Sequence, residues 1–198
     1  LLMAVARTLA VALHGVDGSI VEIEADLANG LPAFTIIGLP DTALGEAKDR
    51  VRSAATNSGC DLPARKVTVN LSPASLPKHG SGFDLGIAVA ALATTGVVSA
   101  ESIAAVVHLG ELSLDGRLRP VAGVLPAVLA ARRAGARAVV VPSGNAAEAG
   151  LVPGIRVIGS PSLRDVLIGH GAALDPVPVE ALAAPEAGSA PSEGGELA

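Results

Sequence analysis

The strongest constraint in this chain is a polar turn that runs straight into an apolar helix. Residues 77–84 read Pro-Lys-His-Gly-Ser-Gly-Phe-Asp, and the run from Leu85 to Thr94 that follows is almost purely apolar. A helix that is apolar all round has to be buried on every side. Any fold open to this chain must therefore surround that segment, and the turn delivers Lys78, His79 and Ser81 to its start. The chain has only two Phe and no Trp or Tyr among 198 residues, so the surrounding core must be Val, Leu, Ile and Ala. The length suits one domain plus a tail.

The rest of the chain alternates strand and helix patterns. Residues 8–13 set Leu9, Val11 and Leu13 against Thr8, Ala10 and Ala12, which predicts a strand. The apolar N-terminus has the look of a signal peptide, but it lacks a basic leading region and Arg7 interrupts it, so the strand reading is preferred. Met3, after Leu1 and Leu2, is read as the natural start. Beyond a turn at 14–18, Val21, Ile23 and Ala25 alternate with Glu22, Glu24 and Asp26. One face of that strand is wet, so it pairs antiparallel or lies at an edge. Ala33–Ile37 follows the Asn29-Gly30 turn and is predicted to complete a three-stranded meander.

Asp41 or Thr42 is expected to cap a helix running to about Asn57, with Leu44, Ala47, Val51 and Ala54 as its buried stripe. Glu46 and Arg50 are expected to pair on its exposed side, and Gly59 to end it. Further strands are predicted at 66–71, 104–109, 139–141 and 155–158. Asp115-Gly116 marks a hairpin turn between 112–114 and 117–119. A helix is predicted over 121–134, and Pro126 either kinks it or marks where the helix proper begins. Short helices at 145–149 and 163–168 complete a domain spanning 1–171. Residues 172–198 turn to Ala, Pro, Glu, Gly and Ser and read as a flexible linker.

Composition excludes several functions. A net charge of −5 and a pI near 5.3 weigh against a nucleic-acid module that works by bulk charge, though not against a local basic face. The single Cys60 rules out an internal disulfide and a Cys-only metal site, and a reduced, cytoplasmic setting fits best. No uninterrupted apolar run reaches membrane-span length. His14, His79, His108 and His170 share no metal-ligand spacing with one another or with Cys60, so no metal is expected. The string Gly-x-x-x-x-Gly-Lys-Ser/Thr is absent, and Gly80, Gly82 and Gly86 do not form a dinucleotide fingerprint.

Chemistry is most plausible at Lys78, His79 and Ser81. A serine at a helix N-terminus has backbone N–H groups nearby that can serve as an oxyanion hole, and Lys or His can act as its base. Helix capping and a solvated charge explain the same residues more simply. Asp84, at the helix start, reads as a partner for the helix dipole. The basic residues form two groups, Arg50, Arg52, Arg65 and Lys66, then Arg132, Arg133 and Arg137. No aromatics interleave with them, so base stacking is not expected. Arg50, Arg52, Arg132 and Arg133, with Lys78, His79 and Ser81, are the candidate contacts for a partner or for DNA.

Gly-Leu-Pro-Asp at 38–41, the string A-K-D-R-V-R-S-A-A-T-N-S-G at 47–59 and V-T-V-N-L-S-P-A-S-L-P-K-H-G-S-G-F-D-L at 67–85 resemble the N-terminal domain of the ComM/YifB group. These are magnesium-chelatase-like AAA+ ATPases, and the likeness runs from about Ala6 to Gly169. It implies a following ATPase module that uses ATP and Mg, with no cofactor in this chain. The implied partners are that module and neighbouring subunits of a homo-oligomer, with DNA reached through the longer protein and no membrane.

The segments 110–124 and 131–142 are similar to the proteolytic domain of Lon proteases. The implied fold is the Lon-protease-like, ribosomal S5 domain 2-like α/β fold, a mixed sheet with packed helices. Lon uses a Ser–Lys dyad. Matching the loops puts Gly82 at the Ser position and Leu125 at the Lys position, with Ser81 one residue out of register. The resemblance thus implies a pseudo-protease, non-enzymatic in itself, that serves assembly or substrate engagement by an attached motor. In the ComM group that motor's implied work is DNA unwinding and branch migration during natural transformation. The alternatives are a hydrolase in which Ser81 acts with Lys78 or another base, and a stand-alone DNA-binding module.

Overall fold

The N-terminal alternation forms a long hairpin of β1 (Val5–His14) and β2 (Asp17–Ala28), antiparallel in unbroken register from Val5–Asp26 to His14–Asp17. The computed structural model describes residues 5–184; Met3 and residues 185–198 of the expected linker lie outside the described residues. On β2, Val21, Ile23, Ala25 and Leu27 are buried, while Glu22 and Asp26 face solvent.

The third strand, β3 (Ala33–Ile37), does not continue a meander. The chain leaves it through α1 (Asp41–Asn57) and returns as β4 (Lys66–Ser72), which lies between β2 and β3. β4 runs antiparallel to β2 and parallel to β3, so β3 becomes a sheet edge. The physical reason is the crossover. Parallel strands need a connection of a dozen or more residues, and α1 supplies it. The Asn29-Gly30 turn signals a reversal but not which strand will be paired.

Pro40 occupies the position before α1, and neither Asp41 nor Thr42 makes a side-chain cap. The far end stops as expected. Gly59 takes φ +82°, its N–H reaches the Thr56 carbonyl at 3.1 Å, and the Cys60 N–H reaches Ala55 at 3.0 Å.

The apolar helix is α2 (Asp84–Ala93), and all ten of its residues are buried. It packs across β1, β2 and β4 beside α1. Gly86 is required there: a Cβ at this position would run into Ile23 of the sheet. After α3 (Ala100–Ile103) and β5 (Val106–His108), a small hairpin of β6 (Glu111–Leu112) and β7 (Leu118–Arg119) turns around Asp115-Gly116. Helix α4 (Val124–Arg133) begins after Gly123, and Pro126 sits in its first turn, where a missing N–H leaves no helical bond unmade. Then come β8 (Ala138–Pro142), α5 (Ala146–Ala149), β9 (Arg156–Ser160) and α6 (Leu163–Gly169).

The seven-stranded mixed sheet has the order β3-β4-β2-β1-β5-β8-β9. Its larger core gathers α1, α2, α3 and α6 on one face. A second core under α4 and α5 covers the other face at β1, β5 and β8. α4 also covers the start of β2 on this face, where Ile20 packs; farther along, the face turns polar and Arg7 of β1 pairs with Glu24 of β2 at 2.6 Å. Residues 172–184 form no regular element but lie against the body. Ala172 is buried, Leu174 packs on the larger core, and the Asp175 carbonyl accepts from Arg164 Nε at 2.7 Å. No helix among the described residues is long and apolar enough to cross a membrane.

One polar contact crosses the larger core. His108, fully buried, holds Thr8 Oγ1 through Nδ1 and His170 through Nε2, both at 2.8 Å. Burial pushes His108 down to about 3, and burial beside Arg137 lowers His170 as well. His108 is therefore neutral in the fold down to about pH 3 and His170 is shifted the same way, whereas the unfolded chain binds protons at each below the ordinary value of 6.5. Stability from this pair is present above that value and is lost as pH falls toward 3. Denaturant titrations at a series of pH values should show wild type losing stability over this interval faster than His108→Gln/His170→Gln. Equal slopes would contradict the neutral pair.

Candidate functional site

The loop between β4 and α2 separates the residues that the sequence groups together. Lys78 is buried, and its Nζ donates to the carbonyls of Pro73 at 2.8 Å and Leu76 at 3.0 Å. It fastens the loop to itself, and burial lowers its pKa. Ser81 Oγ instead donates to the Glu111 carboxylate, and His79 is exposed. The loop is pinned to the start of the small hairpin by two backbone bonds, Gly110 N–H to Gly82 and Leu85 N–H to Gly110, each at 3.1 Å.

Asp84 does more than face the helix dipole. It is 1% exposed and accepts from Arg50 Nε at 2.6 Å, Arg50 Nη2 at 3.1 Å and the Leu112 N–H at 3.1 Å. One carboxylate thus joins α1, α2 and β6. Arg50, expected on the exposed side of α1, is only 20% exposed at its side chain; its contact with Glu46 is the longer one, at 3.5 Å. Its guanidinium is committed to this pair rather than free for DNA. Arg52 is exposed on α1, on the opposite side of the sheet from α4 and its Arg132 and Arg133. The four arginine candidates therefore do not share a surface.

A cleft of about 400 Å³ opens beside the loop. Leu13, Leu109 and Val124 are among its apolar walls, and His79, Ser81 and Glu111 line it on the polar side. Gly82 lines it too, and a Cβ there would meet only Val121, at an ordinary 3.8 Å. Leu125 does not line the cleft; it packs against the core under α4. The cleft thus keeps room beside Gly82, while Leu125 is used in packing. Ser81 has a carboxylate for its partner and Lys78 is held by carbonyls. This set contains no Ser–Lys pair. Among the described residues no group of three or more His, Cys, Asp and Glu is placed to hold a metal.

Sequence reading missed Glu111 and the Asp84–Arg50 link. Only the acidic residue in Gly-Glu-Leu at 110–112 could have drawn attention to Glu111, and nothing in the spacing predicts a pair 34 residues apart.

Burial pushes the Asp84 carboxyl up to about 6, although Arg50 and the Leu112 N–H both pull it down. A folded value above the ordinary 3.8 means that the native state holds the proton longer than the unfolded chain. The stability it brings is full below 3.8 and is lost as pH rises through about 6. The stability of Asp84→Asn relative to wild type should therefore rise across that interval and level off above it, as read by denaturant unfolding. A difference that does not change with pH would contradict the raised value.

Comparison with known proteins shows the family. The family described as subunit ChlI of Mg-chelatase matches residues 23–145. An uncharacterized Mycobacterium tuberculosis protein is 55% identical over 157 residues, covering 79% of this chain and 31% of that protein. The competence protein ComM of Haemophilus influenzae is 42% identical over 165 residues, covering 83% of this chain and 32% of ComM. A Mycolicibacterium smegmatis Lon protease is 31% identical over 150 residues, 72% of this chain and 19% of that protein, in keeping with a Lon-protease-like fold. This chain spans about a third of the length of the M. tuberculosis and ComM relatives. It belongs to the ChlI-type, magnesium-chelatase-like family that includes YifB and ComM.

Proposed function

We propose that this chain is a non-catalytic, Lon-like domain serving assembly or substrate engagement by a magnesium-chelatase-like AAA+ motor. The observation that carries the reading is the division of labour in the loop. Ser81 is tied to Glu111, Lys78 is clamped by Pro73 and Leu76, and Leu125 is a packing residue. None of these is a serine paired with a lysine.

ATP and Mg belong, on this reading, to a module outside this chain. The chain's own residues do not fit a nucleotide, since it contains no Gly-x-x-x-x-Gly-Lys-Ser/Thr string. Neighbouring subunits of a homo-oligomer and the motor itself are the proposed partners, in the cytoplasm. The similarity to ComM supports DNA unwinding and branch migration in natural transformation as the work of the whole protein.

Two measurements test this. The complete protein should hydrolyse ATP while residues 1–198 alone do not, and a gene with no ATPase beyond residue 198 would end the reading. A serine-reactive fluorophosphonate should leave this chain unlabelled. Labelling that disappears in Ser81→Ala would establish the hydrolase alternative instead.

A further inference from the structure

The chain stays with the body after its last helix and touches it at two places. Just beyond α6, Ala172 is buried, Leu174 packs on the larger core and the Asp175 carbonyl accepts from Arg164 Nε at 2.7 Å. Residues 175–181 are exposed. The backbone then passes close to Gly144, in the 3-10 turn Ser143–Asn145 that follows β8. A Cβ on Gly144 would stand 2.9 Å from the Leu182 carbonyl oxygen, 3.2 Å from the Ala184 nitrogen and 2.7 Å from Pro120 Cγ. Gly144 does not have a positive φ, so its own backbone conformation is open to any residue. The passing chain and Pro120 are what exclude a side chain there. This second contact is joined to the cleft. Asn145 is 4% exposed; its Oδ1 accepts from the Val121 N–H at 2.9 Å and its Nδ2 donates to the Val121 carbonyl at 3.0 Å. Pro120 and Val121 both line the cleft.

We propose that residues 172–184 are a strap, latched at Gly144, that ties the chain continuing past Ala184 to the wall of the cleft. The inference deepens the proposed function and rests on it: the module outside this chain is joined to the domain beside the cleft, not at the end of α6. The strap is held at its two ends. Ordering residues 175–181 costs backbone entropy that their exposed side chains do little to offset. The strap therefore opens more readily than the packed body, and the contact at Gly144 decides whether it is closed. When it is closed, one rigid path runs from Leu182 and Ala184 through Gly144 and Asn145 to Val121. When it is open, the tether to the module starts at Asp175 and no longer reaches the cleft wall.

The test has two readouts on residues 1–198. The first is digestion by a glutamyl endopeptidase, with cleavage after Glu180 in the strap timed by mass spectrometry. Proteolysis of a transiently opened segment follows the population of its open form. Gly144→Val puts a branched side chain where the strap passes and should speed this cleavage about tenfold or more. Gly144→Ala should do the same to a lesser degree, and serves if valine perturbs folding. Cleavage after Glu22 or Glu24 in β2 reports opening of the body and should keep its wild-type rate in both variants. The second readout is the distance between nitroxides on Ala122→Cys, at the cleft, and Ala183→Cys, on the strap, with Cys60→Ala removing the native thiol. Both labelled positions are exposed. With Gly144 in place the distribution should be single and narrow; with Gly144→Val it should be broad and extend to longer distances.

Cleavage after Glu180 at the same rate in wild type and both Gly144 variants overturns the proposal, as does a broad distance distribution with Gly144 in place. A narrow distribution that survives Gly144→Val would mean that the strap is held elsewhere and likewise overturns it. Any of these results, with ATP hydrolysis by the complete protein intact and no fluorophosphonate labelling, leaves the non-catalytic reading standing.

Discussion

A single buried carboxylate holds the central elements in place. Asp84 sits where the polar loop meets the apolar helix, and it takes three hydrogen bonds from two other elements. Burying a charge is expensive unless it is paired and bonded. Here a bidentate guanidinium and a backbone N–H offset part of that cost, since the carboxyl stays raised to about 6, and Arg50 lies at the edge of the core, partly exposed. Removing one partner of such a pair typically costs about 3–5 kcal/mol, because the other is left buried and uncompensated. The loop that carries Ser81 and Gly82 therefore starts from a fixed point, and its remaining polar groups are used to hold its shape.

Local chemistry was legible in the sequence and distant pairing was not. The alternation in Val21, Ile23 and Ala25 gave β2 because one face of the strand is wet. The apolar run after Phe83 gave a buried helix because it has no polar side to expose. Gly59 and Pro126 marked helix boundaries because backbone geometry leaves each few alternatives. In contrast, β4 displaced β3 from the hairpin because strand partners are chosen by the crossover between them. Arg50 and Asp84 are 34 residues apart, and His108 and His170 are 62 apart. No periodicity reaches that far.

The site shows the same separation between shape and chemistry. The mixed sheet with its packed helices is that of a Lon-protease-like fold, and similarity to a Lon protease accompanies it. Lys78 braces a loop, Ser81 meets a carboxylate, and Leu125 packs against a core. On β2 the open face carries Glu22, Glu24 and Asp26.

The most direct test of this account is a double-mutant cycle between Arg50→Met and Asp84→Asn, read by urea unfolding of the two single variants and the double. If the carboxylate–guanidinium pair is the fixed point of the loop, the two sites couple by about 2 kcal/mol or more. A coupling near zero, with the two single effects simply adding, would mean that the loop is held by something else.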